Sequence, residues 1–200
     1  NPGGGVNPGG GTTPGGGTAG TGGAAPMGCG KGSPAGDRCK AGVIKGAGTI
    51  ARYAAEGVHT VLVCATDGAA GDILNPAMDK PEVKENLPQV RMEELARATE
   101  IIGYREVIHL GYKDSGMPDT PGNEDPASFH QAPFDEAVGR LVAAIRRTRP
   151  QVIITYNDDQ EGYPHPDHLK VHEISGPAFE RAGDPTWYPE LGEPWQPLKL

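Results

Sequence analysis

The chain has 200 residues, 36% of them hydrophobic, and a formal net charge of −8 with a pI near 5.2. That acidic balance argues against nucleic acid as a main partner, because binding phosphates needs a clustered basic surface. No apolar run approaches the roughly 20 residues that cross a bilayer, and no signal peptide is read at the start, so no membrane partner is expected.

About half of the 31 glycines lie at or before Gly36, and no charged residue precedes Lys31. Repeated Asn-Pro-Gly-Gly-Gly and Thr-Pro-Gly-Gly-Gly units cannot offset their ordering entropy by burying apolar groups. Residues 1–43 are therefore expected to be a low-complexity, disordered segment, and residues 44–200 a single domain. Cys29, Cys39 and Cys64 show no C-x-x-C spacing, which points to neither a disulfide framework nor a cysteine zinc site. A cytoplasmic location follows as an expectation.

Ile50, Tyr53 and Ala54 at helical spacing predict a short helix over 46–57, stopped by Gly57. Val58 to Ala65 reads as a buried strand. Thr66-Asp67-Gly68 and Gly71-Asp72 mark the loop that leaves it. A helix from about Glu85 to Ile102 should place Leu87, Val90, Leu95, Ala98 and Ile102 near one face, and a strand follows over Glu106 to Leu110.

Gly111 to Pro133 is long for a loop in a compact domain, and loops of that length are usually functional or disordered. Phe134, Val138, Leu141, Val142 and Ile145 then form an amphipathic helix ended by Pro150. The run Arg146-Arg147-Thr148-Arg149 reads as its solvated end, favoured by the helix dipole. Val152 to Thr155 is predicted to be a third strand, and a helix from about Pro166 to Ala182 follows. Alternating helix and strand give an α/β fold, a parallel sheet wrapped by helices.

Chemistry concentrates between Tyr156 and His172. His165-Pro166-Asp167-His168 lies in a Gly/Pro-rich turn after the apolar run Val152-Ile153-Ile154, where open α/β sheets place their sites. Neutral imidazole is a common ligand for zinc, and a neighbouring carboxylate can fix its tautomer. Pro166 suits the first turn of a helix, and His172, one turn beyond His168, can share its face. Surface histidines around a helix start are the alternative. Tyr163 and Asp167 favour a site by adding a phenolic donor and a carboxylate at close range.

With Lys45-Gly46, Thr49 to Gly57, Gly71 to Asp79, Asp114-Ser115-Gly116, Gly162 to His168 and Gly192 to Trp195, the sequence resembles the PIG-L/LmbE-like zinc deacetylases, from about Lys45 to Leu200. Within that family the likeness is to the amidases of mycothiol S-conjugates. The resemblance implies a Rossmann-like sheet and a Zn2+-assisted hydrolysis of an amide on a glucosaminyl-inositol thiol conjugate. An acetylglucosaminyl-inositol deacetylase and a non-catalytic ligand-binding protein are the alternatives. By resemblance His168 is a zinc ligand, and His165 stabilises the oxyanion or protonates the leaving amine. Asp167 orients His165, Tyr163 is a second donor, and Arg91 and Asp114 contact sugar and inositol hydroxyls. Arg91 also reads as a solvated helix charge, and Asp114 as a turn-capping carboxylate.

The chain departs from the family where a first strand should end in His-Pro-Asp-Asp: it reads Arg38-Cys39-Lys40-Ala41-Gly42. The first strand is expected to be missing, the N-terminal segment to be non-native, and the chain to be poorly active. Cys39, Asp158 and His172 are the substitutes at hand for the missing ligands.

Overall fold

The computed structural model describes residues 44–160 and 162–200, with side-chain detail from residue 46. The expected disordered segment, the stretch from Arg38 to Gly42 and the proposed thiolate Cys39 lie outside the described residues. The elements run α1 (Ile44–Ala55), β1 (Val61–Thr66), α2 (Pro81–Glu85), α3 (Leu87–Ile102), β2 (Glu106–Tyr112), α4 (Phe134–Thr148) and α5 (Pro166–Gly183). Two 3-10 turns, Pro121–Glu124 and Pro189–Leu191, punctuate the connections.

α1 ends as expected: Gly57 takes φ +85°, and the Gly57 and Val58 amides turn back to the carbonyls of Ala54 and Tyr53. β1 and β2 pair in parallel, Val61 opposite Glu106 through Cys64 opposite His109, with an irregularity before Thr66 meets Tyr112. A parallel pair needs a crossover, and α2 and α3 supply it. The crossover begins differently from the expected single helix. The chain breaks at Asn86, because Pro88 has no amide to offer and is tolerated only in the first turn of α3.

The core lies where β2, α4 and α5 meet. Leu110, Tyr112, Val138, Val142, Ile145, Ile174, Ala178 and Ala182 are buried there. The long segment after β2 joins it, since Phe129 is fully buried and its ring lies 5.1 Å from that of Tyr112. This stretch is thus a packed part of the domain.

Three expectations are corrected. β1 is half-buried, not buried, with Val63 exposed, because among the described residues only β2 pairs with it. Val152 to Thr155 is not a strand. Parallel strands become buried when both edges are flanked, but here Val152 makes an isolated bridge to Lys199, and the Ile153 amide bonds the Lys199 carbonyl. Val152 and Ile154 are left 56% and 70% exposed, while Ile153 packs on the core. Finally, Arg146 is buried, not solvated, and donates to the carbonyls of Arg181, Ala182, Asp184, Trp187, Tyr188 and Gly192.

Candidate active site

Asp67 follows the end of β1, Asp114 and Ser115 follow β2, and His165 caps α5. The Asp67 carboxylate joins the two strand ends by accepting from the amides of Ala69 and Asp114, both at 3.0 Å. The Asp114 carboxylate accepts from the Gly116 amide at 2.9 Å, so it does cap a turn. It also faces the ring of His165, with Oδ1 3.8 Å from Nε2.

His165 is the N-cap residue of α5, and Pro166 occupies the first turn as predicted. Its Nδ1 accepts from the main-chain amide of Asp167 at 3.2 Å. An accepting Nδ1 carries the lone pair, so the neutral ring holds its proton on Nε2. That N–H points toward Asp114, which makes His165 a donor at the mouth of the cluster.

The Asp167 carboxylate does not hydrogen-bond His165; its Oδ2 stands 3.9 Å from Nδ1. It accepts instead from the Ser115 amide at 3.1 Å, and makes a very short contact with the Ser115 hydroxyl. Burial pushes the Asp167 carboxyl above its ordinary value, while the two Ser115 donors pull it back.

His168 meets a different partner. Gln160 directs its amide nitrogen at the Asn157 carbonyl, 2.9 Å away, which leaves Oε1 facing His168 Nδ1 at 3.3 Å. An amide oxygen only accepts, so this contact suits the tautomer with its proton on Nδ1. Tyr156 stacks on the ring at 4.3 Å and 11°. Burial raises the Tyr156 hydroxyl above its ordinary pKa. The rings of His165 and His168 are 5.1 Å apart, and exposed Tyr163 lies 5.8 and 5.6 Å from them. His172 bonds the Tyr156 carbonyl through Nδ1 at 3.2 Å.

Tyr163, Asp114, His165, Asp167 and His168 are thus brought together. Arg91 stands apart on α3. It bonds Glu94 at 2.8 Å and the Asp72 carbonyl at 3.1 Å, and its stem lies against Gly68 in the loop after β1. Asp67, Tyr156 and Gln160 do not stand out as site residues in the sequence, and Ser115 shows no role there beyond its place in the Asp114-Ser115-Gly116 motif. The Thr66-Asp67-Gly68 turn at a strand end was the available signal for Asp67; none marked Gln160.

Asp114, His165 and Asp167 each offer a ligand atom within 4.8 Å of one another, a spacing able to hold a metal ion. His168 lies beside this cluster, its ring 5.1 Å from that of His165. No helix among the described residues is long and apolar enough to cross a membrane.

Among solved structures, the N,N'-diacetylchitobiose deacetylase of Pyrococcus horikoshii shares the fold, with TM-score 0.57 and 19% identity over 72% of this chain and 47% of that one. A conserved protein of Thermus thermophilus aligns with TM-score 0.52 and 27% identity, over 78% of this chain and 57% of its own. A 1D-myo-inositol 2-acetamido-2-deoxy-alpha-D-glucopyranoside deacetylase of Catenulispora acidiphila is 41% identical over 79% of this chain and 50% of its own. The mycothiol S-conjugate amidase of Streptomyces coelicolor is 44% identical over 78% of this chain and 54% of its own. The chain thus spans about half the length of these relatives. Residues 43–179 match the GlcNAc-PI de-N-acetylase family, and with strand-end carboxylates, a capping histidine and this level of identity together, the chain belongs to the PIG-L family.

Proposed function

We propose that this domain belongs to a cytoplasmic enzyme that hydrolyses an amide on a glucosaminyl-inositol, with a mycothiol S-conjugate as substrate and the acetylated glucosaminyl-inositol as the alternative. The two histidines side by side at the strand-end carboxylates carry this reading. One ring would give a metal its lone pair while the other offers an N–H to an oxyanion, as amide hydrolysis requires.

Zn2+ held at His168 would supply Lewis acidity toward the amide carbonyl and a nucleophile at neutral pH. The rest falls to the chain's own groups. His165 Nε2–H donates to the developing oxyanion, and the leaving amine takes up the proton released by the attacking water. Exposed Tyr163, ring to ring with His165, supplies a second donor. Asp114 accepts from a sugar or inositol hydroxyl, and Arg91 lines the loop on the β1 side. The relatives carry both activity names at similar identity, which supports the substrate class and leaves the acyl group to experiment.

The decisive assay compares an acetylated glucosaminyl-inositol with a bulky mycothiol S-conjugate in the presence of Zn2+. It uses the chain and a variant carrying Arg38→His, Cys39→Pro, Lys40→Asp and Ala41→Asp. Low turnover is expected in the chain, with a gain in the variant and faster cleavage of the S-conjugate. Faster cleavage of the acetyl compound selects the alternative. Adding His168→Ala to the variant should remove its bound zinc; equal zinc content in both proteins would count against the assignment.

A further inference from the structure

We infer that Ser115 is a positioning residue for His165, acting through Asp167: it holds the Asp167 carboxylate away from the imidazole, so that a main-chain amide sets which ring nitrogen carries the proton. The inference rests on the proposed function only for its catalytic consequence.

Two groups of Asp167 compete for His165 Nδ1. The amide reaches it at 3.2 Å and requires a lone pair there. The carboxylate, 3.9 Å away, would require a proton there. The outcomes are opposite at the far nitrogen: with the amide bound, Nε2 donates, and with the carboxylate bound, Nε2 accepts. A ring that must donate to an oxyanion before any proton has been taken up needs the first arrangement.

Ser115 settles the competition. It is fully buried and engages both carboxylate oxygens, Oδ2 through its amide at 3.1 Å and Oδ1 through its hydroxyl. The hydroxyl accepts from the His130 amide at 2.8 Å, so its single proton is directed at Asp167. The residue itself is fixed. Its carbonyl accepts from Asn123 Nδ2 at 2.5 Å, and a Cβ on Gly122 would come within 2.7 Å of that carbonyl oxygen. The segment after β2 therefore sets the hydrogen-bonding sense of a ring at the start of α5.

NMR of isotopically labelled imidazole nitrogens in the intact chain tests this, with the His165 signals assigned by their loss in His165→Asn. Wild type should carry the His165 proton on Nε2. Asp167→Asn should leave it there, because the main-chain amide is unchanged and the side-chain amide can reverse its partners with Ser115. Ser115→Ala keeps the main-chain amide on Oδ2 but removes the hydroxyl's hold on Oδ1, so the carboxylate should turn toward the ring and shift the tautomer ratio toward Nδ1–H by about tenfold or more, the strength of a charge-assisted hydrogen bond. The double variant Ser115→Ala with Asp167→Ala should return the proton to Nε2, a reversal that loose packing alone would not produce. A wild-type proton on Nδ1, or its movement in Asp167→Asn, would overturn the inference even if Ser115→Ala failed to fold. Absent hydrolysis with the expected tautomers would strike the proposed function and leave Ser115's role standing.

Discussion

His165 has two duties that can be separated at one atom each. Nδ1 caps α5, while Nε2–H faces Asp114. Asparagine is a strong N-cap residue but has no imidazole proton to give. His165→Asn should therefore change the unfolding free energy by less than about 1 kcal/mol, yet lower turnover of the variant carrying His-Pro-Asp-Asp at residues 38–41 by roughly 100- to 10,000-fold. A thermal melt beside a hydrolysis assay checks both halves. At the last residue of β2, burial pushes the Tyr112 hydroxyl from its ordinary 10.0 up to about 12, with Arg140 pulling it down and Glu136 up. The folded pKa lies above the unfolded one, so Tyr112 contributes stability that is present below pH 10 and lost as pH rises toward 12. Denaturant midpoints across that window should fall in wild type and fall less in Tyr112→Phe.

At the level of elements, what was legible followed local rules. Pro166 announced the start of α5, Gly57 the stop of α1, and the apolar spacing of Phe134 to Ile145 the buried face of α4. What was not legible depended on distant partners. The run Val152-Ile153-Ile154 has the composition of a strand, but pairing is decided by neighbouring strands, and the chain pairs it with Lys199 instead. Arg146 looked like its exposed neighbours Arg147 and Arg149, because nothing local says that six carbonyls will converge on it. The site was half legible for the same reason: histidines and carboxylates stand out, whereas Ser115 and Gln160 gain meaning only once folded. Arg146→Met keeps the apolar stem but strands those carbonyls. It should cost about 3 kcal/mol or more, as breaking a buried, fully engaged charge does; the urea midpoint would read it.

For the whole molecule, the described residues pack a core between β2, α4 and α5, while Val63 on β1 and Val152 and Ile154 in the segment after α4 meet solvent. Replacing Val152 and Ile154 by threonine should change stability by less than about 0.5 kcal/mol each and reduce self-association in size-exclusion chromatography. Unfolding of either variant by several times that amount would show that the two side chains bury area in solution. The Arg146 guanidinium has a further consequence. It holds carbonyls on both sides of the exposed Pro185 and Thr186 by hydrogen bonds that do not depend on the peptide bond between them. A protease cut there should therefore leave the C-terminal piece seated on α4, so that a nicked protein would migrate as intact until denatured.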